Sequence, residues 1–279
     1  MVVAVLSCAK DEVSSEGHIP EASEEVLDKI RNLGYSTENV KIINTQENGI
    51  GYVVEGDFIL HERDLNLDPE EGVTLRIAEV EQYRTTLIPN FRRRSRRGNS
   101  HTTLDVAVDD ALPVAYYNAT RRVATRYNSL GLSFRLNVFL LSQRQRRTVE
   151  ITVREGSAFA AAGPPFERTV GRRTTIVPYN EVLVNPTAIN SNNQNHLTTI
   201  IAHEIGHCIG FRHTDFMNRS FSDCRITGNE GQGAAGAIPI PGTPTDPEAR
   251  SWMLACIGAN ENRPFTNNDV VALRFLHSL

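Results

Sequence analysis

The segment His203-Glu204-Ile205-Gly206-His207-Cys208-Ile209-Gly210-Phe211-Arg212-His213 carries residue types and spacings that could do hydrolytic chemistry. On a helix, His203 and His207 lie one turn apart and project from one face, so two imidazoles can share a Zn²⁺ ion. Glu204 follows the first of them, turned part way round the helix. Its carboxylate then stands beside the water such a metal carries, where a general base belongs. Gly210 can take the left-handed conformation that ends a helix and reverses the chain, which brings His213 back as a third ligand. Three protein ligands leave a fourth position open, the arrangement of a catalytic rather than a structural zinc site. The competing explanation is a buried amphipathic helix with hydrogen-bonded histidines. The apolar run Leu197–Ala202 suits such a helix, but it does not account for three His and one Gly at these offsets.

The elements that must position these residues are legible in outline. Ser133–Leu140, Thr148–Arg154 and His101–Val108 read as strands, and Pro113–Tyr127 as a helix with Pro113 suited to its first position. Thr174–Pro178 reads as a further strand, near an edge because of Pro178. The polar stretch Asn190–Asn195 leads into the His-bearing helix. Residues 228–247 are too rich in Gly and Pro for long regular structure. Thr266 and Asp269 have capping-box spacing for a last helix through Leu276. Upstream, Pro20–Leu33 has helical periodicity ended by Gly34. Val40–Ile43 and Ile50–Val54 read as strands around an Asn48-Gly49 turn, and Phe58–Leu60 is a third apolar run. A unit this small buries little surface alone and is expected to dock on something larger.

Charge divides the chain. Residues 1–90 hold 18 acidic and 7 basic side chains, and residues 91–279 hold 15 acidic and 22 basic. Much of the positive excess is the run Phe91-Arg92-Arg93-Arg94-Ser95-Arg96-Arg97-Gly98. The expected organisation is therefore an acidic region at 1–90, an Arg-rich connector at 91–99 and a near-neutral catalytic domain at 100–279. A polar connector between two units is where proteolytic nicking concentrates, which makes it a candidate activation site. A solvated linker is the plainer alternative. Nucleic-acid binding is disfavoured, because the protein is acidic overall, at a net −4, and carries no supporting motif. No apolar run reaches the length of a transmembrane segment.

The motif resembles that of the metzincin metalloproteases, which also carry a methionine turn beneath the metal. The sequence HEIGH-x-IGFRHTD is followed by Asn218-Arg219-Ser220, Asn229-Glu230-Gly231, a Gly/Pro-rich stretch at 236–245 and Trp252-Met253-Leu254-Ala255-Cys256. Together these resemble the bacterial dual-action HEIGH metallopeptidases, an astacin-like metzincin group. The likeness is good over 196–279 and looser over 100–195. It implies an α+β fold: a metzincin-type catalytic domain with a twisted mixed sheet, a zinc-binding helix and a loop-rich C-terminal half, preceded by a small α/β pro-region. It implies a secreted zinc endopeptidase acting on protein or peptide substrates, with His203, His207 and His213 as ligands and Glu204 as base. An edge strand near Thr174–Pro178 would pair with the substrate backbone. Met253 is the methionine-turn candidate, since Met217 lies too close after His213; an ordinary core methionine is the alternative. Where astacins place a Tyr two residues after that methionine, this chain has Ala255. A zinc-binding adhesin or inhibitor that does no catalysis remains a second reading, which the intact Glu204 argues against.

Four cysteines, Cys8, Cys208, Cys224 and Cys256, allow three pairings, and spacing does not choose among them. The family resemblance favours Cys224–Cys256. Cys208 sits inside the zinc helix as a small buried hydrophobe. Cys8 has two readings. Its thiolate could take the open zinc position and hold a zymogen inactive, with the pro-region as intramolecular inhibitor. Alternatively Val2–Cys8 is the end of a lipoprotein signal, and the protein is lipid-anchored at the cell surface. His18, His61, His101 and His277 lack ligand spacing, and His196 is expected to bond near the helix start.

Overall fold

A computed structural model describes residues 21–66, 82–91, 93–95, 98–144, 150–222, 236–244 and 248–278. Helix α1 (Glu24–Asn32) starts at Ser23, whose Oγ accepts from the Val26 N–H. Strands β1 (Lys41–Thr45), β2 (Gly49–Val54) and β3 (Phe58–His61) then form an antiparallel meander, followed by the single turn α2 (Glu62–Leu65). β4 is Tyr83–Arg84. The arginine run folds partly as a hairpin, β5 (Arg93–Ser95) against β6 (Gly98–Ser100), where a plain connector was expected. β7 (Thr102–Val108), α3 (Val114–Asn128) and β8 (Phe134–Leu140) make a crossover unit, with β7 and β8 parallel. Pro113 occupies the cap position just ahead of α3.

Strands β9 (Ile151–Glu155), β10 (Ala160–Ala162), β11 (Phe166–Val170), β12 (Arg173–Val177) and β13 (Glu181–Val184) precede the long helix α4 (Gln194–Cys208). The C-terminal half is loop-rich, with β14 (Ile238–Pro239) and α5 (Asn267–His277) as its regular elements among the described residues. The expected capping box of α5 is present: the Asp269 N–H donates to Thr266 Oγ1 at 3.2 Å, and the Thr266 N–H donates to Asp269 Oδ2 at 2.8 Å.

The main sheet has eight strands in the order β1-β2-β3-β10-β13-β9-β7-β8. It is mixed: β13, β9, β7 and β8 run parallel to one another, and β10 pairs antiparallel with β13. Helices α3 and α4 pack together and against this sheet around Val106, Val153, Val182, Tyr127 and Ile201. This is the expected α+β architecture of twisted mixed sheet, central helix and irregular C-terminal half.

Two placements differ from expectation. The strand at Thr174–Pro178 is β12, and it pairs only with β11 in a separate hairpin, off the main sheet. The strand that ends the β7–β13 part of the sheet is the short Ala160–Ala162, whose small residues gave no alternating pattern to read. Against it lies β3, with Phe58 paired in parallel to Ala162, so the acidic N-terminal region extends the sheet. That region also has a small core of its own in Ile30, Leu33, Tyr35, Val54, Phe58, Leu60 and Leu65. Residues 82–91, acidic-side by charge count, pack on the C-terminal half instead: β4 pairs with β14, and buried Gln82 reaches Ser251 and Asp269.

Candidate metal centre

The site is built on α4. Asn193 caps it, its side chain accepting from the His196 N–H at 3.1 Å. Nearly every side chain from His196 to Cys208 is buried, so the helix runs through the core and its polar residues need partners there. His203 Nδ1 meets the Trp252 carbonyl at 2.8 Å, and His207 Nδ1 meets the Phe211 carbonyl at 2.9 Å. A carbonyl can only accept, so each Nδ1 carries the proton and each Nε2 presents a lone pair.

Gly210 has φ +108°, and the chain reverses there. A built Cβ would also lie 2.5 Å from Ile88 Cδ1. The loop beyond is pinned by backbone bonds to the strap at 82–91: Thr85 N to Gly210 O at 2.8 Å and Arg212 N to Tyr83 O at 2.9 Å. His213 is thereby returned to α4. Its Nε2 lies 3.2 Å from Nε2 of both His203 and His207, which are themselves 3.1 Å apart.

These distances test the fit to zinc. Three nitrogens bound at 2.0–2.1 Å with tetrahedral angles stand roughly 3.3 Å from one another. Neutral imidazoles whose lone pairs converge this closely repel unless a cation lies among them. The donor set therefore fits zinc. Burial, with the neighbouring His203 and His213, depresses the His207 pKa well below its usual value, which favours the neutral ligand form.

Asp57, a residue the sequence did not single out, joins this group. Its carboxylate and the three histidines form the one cluster of potential metal-holding groups among the described residues, all within 4.8 Å of one another. Asp57 Oδ2 is 3.2 Å from His213 Nε2 and 3.4 Å from His203 Nε2. Burial would raise the Asp57 pKa, but the His213, His203 and His207 imidazoles crowded against its carboxylate hold it well below the carboxylate range.

Glu204 is buried beside these groups. Its Oε2 has no hydrogen-bond partner among the described residues. Burial, then the Asp57 charge, push its pKa far up, against a smaller opposite pull from His213. It borders a cavity of about 320 Å³ lined also by Thr199, Ile200, His203, Leu254 and Ala255.

Met253 is fully buried, and its thioether lies 2.6 Å from where a Cβ on Gly206 would stand, so it packs directly beneath the helix between the His positions. Its carbonyl accepts from the Thr214 N–H at 2.9 Å, which ties this turn to the residue after His213. The sequence signal for Gly206 was available: an interior helical glycine marks a close approach. Cys208 is a buried free thiol, its Sγ 3.8 Å from the Glu181 carbonyl. His196 Nδ1 bonds the Glu261 carbonyl, away from the metal group. Cys8 and Cys224 lie outside the described residues, so the placement of the Cys8 thiolate and of one half of the candidate disulfide is not described.

Comparison with known proteins agrees with the motif. The sequence profile of the dual-action HEIGH metallo-peptidase family matches residues 62–277. No curated protein sequence matches the chain. Among solved structures, the crystal structure of myroilysin is similar at a TM-score of 0.34 and 9% identity, covering 63% of this chain and 83% of that one. Among the described residues, no helix is long and apolar enough to cross a membrane.

Proposed function

We infer, since this chain belongs to the dual-action HEIGH metallopeptidases and is thus a zinc-dependent metallopeptidase, that it is an endopeptidase whose zinc is held by His203, His207 and His213. The observation that carries this reading is the convergence of three Nε2 atoms within 3.2 Å, two of them with Nδ1 committed to backbone carbonyls. When bound, zinc supplies a Lewis acid that polarises the scissile carbonyl and lowers the pKa of its water.

Glu204 is the proton carrier. Its unpartnered Oε2 and raised pKa suit a carboxylate that takes a proton from the attacking water and returns it to the leaving amine. The cavity beside it gives a substrate side chain an apolar slot between α4 and the segment after Met253. Met253 acts as the methionine turn, supporting the imidazoles from below. A disulfide between Cys224 and Cys256 closes this wall. In its support, the Cys256 N–H bonds Ser222 Oγ at 3.2 Å, two residues before Cys224.

The protein is made as a secreted zymogen, with residues 1–90 as inhibitory region, 91–99 as connector and 100–279 as catalytic domain. Supporting this, β3 covers β10, which packs against α4 and would otherwise be a free edge that a substrate backbone could pair with. Cys8 is the candidate blocking ligand from the sequence.

The test is Glu204→Gln. Zinc stoichiometry and fold stay as in the wild type, while casein hydrolysis after limited trypsin treatment drops at least ~100-fold, the loss of a general base. Near-wild-type turnover in this variant refutes the assignment.

A further inference from the structure

Two residues beyond His213 the chain carries Asp215, a carboxylate that is buried but is not among the groups clustered at the metal centre. Each of its oxygens takes a donor. Oδ1 accepts from the Ala255 N–H at 2.8 Å, and Oδ2 accepts from the Ser222 hydroxyl. A hydroxyl has one proton to give and lone pairs with which to receive. Ser222 Oγ in turn accepts from the Cys256 N–H at 3.2 Å. Asp215 thus holds the N–H groups of two consecutive residues, one directly and one through Ser222. A carboxylate acceptor makes such bonds about twice as strong as neutral ones.

Those two residues belong to the wall of the cavity beside Glu204. Helix α4 lines it with Thr199, Ile200 and Glu204, and the segment 254–257 lines it from the other chain region. That segment is neither helix nor strand, so no regular ladder of backbone bonds fixes it. It also lacks a polar side chain to anchor itself, being Leu, Ala, Cys and Ile. Its backbone is held from outside at two places. Arg263 Nη1 donates to the Cys256 carbonyl at 2.7 Å, and the Arg263 N–H donates to Thr199 Oγ1 at 2.9 Å, which ties the wall to α4. Asp215 and Ser222 supply the other hold. A disulfide at Cys256 restrains a side chain, whereas these bonds set the backbone of Ala255 and Cys256. Thr214, between His213 and Asp215, donates its N–H to the Met253 carbonyl at 2.9 Å. One short loop therefore connects the third histidine, the methionine turn and the cavity wall.

Resting on the endopeptidase reading above, we propose that Asp215 is a positioning residue for substrate recognition, which sets the width of the apolar slot beside Glu204 through Ala255 and, by way of Ser222, Cys256. Asp215 does not itself line the slot. Its loss leaves the three histidines converged and lets the wall move relative to α4. A slot without a fixed width no longer rewards a bulky apolar side chain over a small one, a distinction that a packed slot makes by roughly 10-fold or more per methylene.

The experiment uses the full zinc-loaded chain, treated with trypsin that is then inhibited, as wild type, Asp215→Ala, Asp215→Asn and Ser222→Ala. Mass spectrometry maps the bonds cut in casein, and KM and kcat are measured on one peptide so identified. Zinc competition against a chromophoric chelator and acrylamide quenching of Trp252 accompany them. Trp252 is the one tryptophan of the chain, lines the slot and is buried, so its quenching reports the wall without any need for activity. The expected wild-type digest is enriched in bulky apolar residues at one position beside the cut bond. Asp215→Ala and Ser222→Ala flatten that enrichment, raise KM about 10-fold with kcat less affected, and make Trp252 easier to quench, with zinc affinity unchanged. Asp215→Asn falls between, because its oxygen keeps the Ala255 bond and its amide can donate to Ser222. Near-ultraviolet circular dichroism identifies any variant that has lost its fold, and Ser222→Ala keeps the test open if Asp215→Ala does so. Unchanged preference and KM in Asp215→Ala and Ser222→Ala overturn the proposal, as does a wild-type digest with no preference at any position. A zinc affinity that falls roughly 10–100-fold also overturns it, because Asp215 would then be supporting a metal ligand. If the wild type cuts no protein before or after trypsin, the endopeptidase reading fails; quenching then decides the wall alone, and equal quenching in wild type and variants overturns it.

Discussion

Gly206 offers a sharp test of how the centre is supported. An interior helical Gly→Ala change ordinarily stabilises by about 1 kcal/mol. Here the added Cβ would lie 2.5 Å from Trp252 Cη2 and 2.6 Å from Met253 Sδ, both on fully buried side chains. Carbon contacts sit near 3.5–4.0 Å, so the overlap is roughly 1 Å against an indole that is itself packed on Tyr127, Phe211 and Phe265. Overpacking of this kind costs roughly 1–3 kcal/mol, which at its upper end outweighs the helical gain. Gly206→Ala should therefore lower the unfolding free energy of the metal-free protein, by up to about 2 kcal/mol. It should also move the Trp252 carbonyl that orients His203, and loss of such support weakens metal binding by roughly 10–100-fold. Urea unfolding and zinc competition against a chromophoric chelator read the two effects. Trp252→Phe in the same chain should return part of the loss, since the two sites are in direct contact. A Gly206→Ala protein that is more stable than wild type and binds zinc equally well would refute the reasoning.

Gly210→Ala should be worse, because a φ of +108° and a contact of 2.5 Å to Ile88 act together; a loss of roughly 2–4 kcal/mol with weaker zinc binding is expected, and wild-type chelator competition would contradict it. His277 gives a pH signature away from the metal. Burial pushes its pKa from 6.5 to about 4, against a smaller upward pull from the Ile209 carbonyl. The unfolded chain takes up this proton first, so stability is lost as pH falls from 6.5 to about 4. The slope from this group is about 1.4 kcal/mol per pH unit. His277→Gln should make the curve of unfolding free energy against pH shallower by that amount across the window, and parallel curves would show that the buried imidazole is not the cause.

The His-bearing helix was legible because its evidence is local. Ligand, base and turn glycine fall within eleven consecutive positions, and helical geometry alone converts that spacing into a shared face. The last helix was legible for the same reason, through Thr266 and Asp269. Strands β7, β8 and β9 followed from their apolar patterning. Ala160–Ala162 did not, because three alanines carry no alternation and the strand is defined by its partners. Thr174–Pro178 shows the converse failure. Its residues favour a strand, and it is one, but nothing in its own composition says which strand it pairs with.

Asp57 was hidden for a deeper reason. It is 156 residues from His213, and it reaches the metal group only because β3 docks on β10 and Glu55 meets Arg212. Asp57 in a Glu-Gly-Asp turn reads as an ordinary loop acid, and Arg212 reads as an ordinary motif spacer. Their meaning arises when two regions that each look complete are brought into one sheet. Ile43, Val53 and Ile59, which pack into the main core, supply the apolar surface that makes this docking favourable, at roughly 25 cal/mol per Å² buried. The buried polar groups then set its register, because a slip of one residue would break the Glu55–Arg212 pair and the bonds from the Gln46 and Glu47 N–H groups to Glu181. A strand that must satisfy those partners can point only one residue at the histidines, and in this chain that residue is a carboxylic acid.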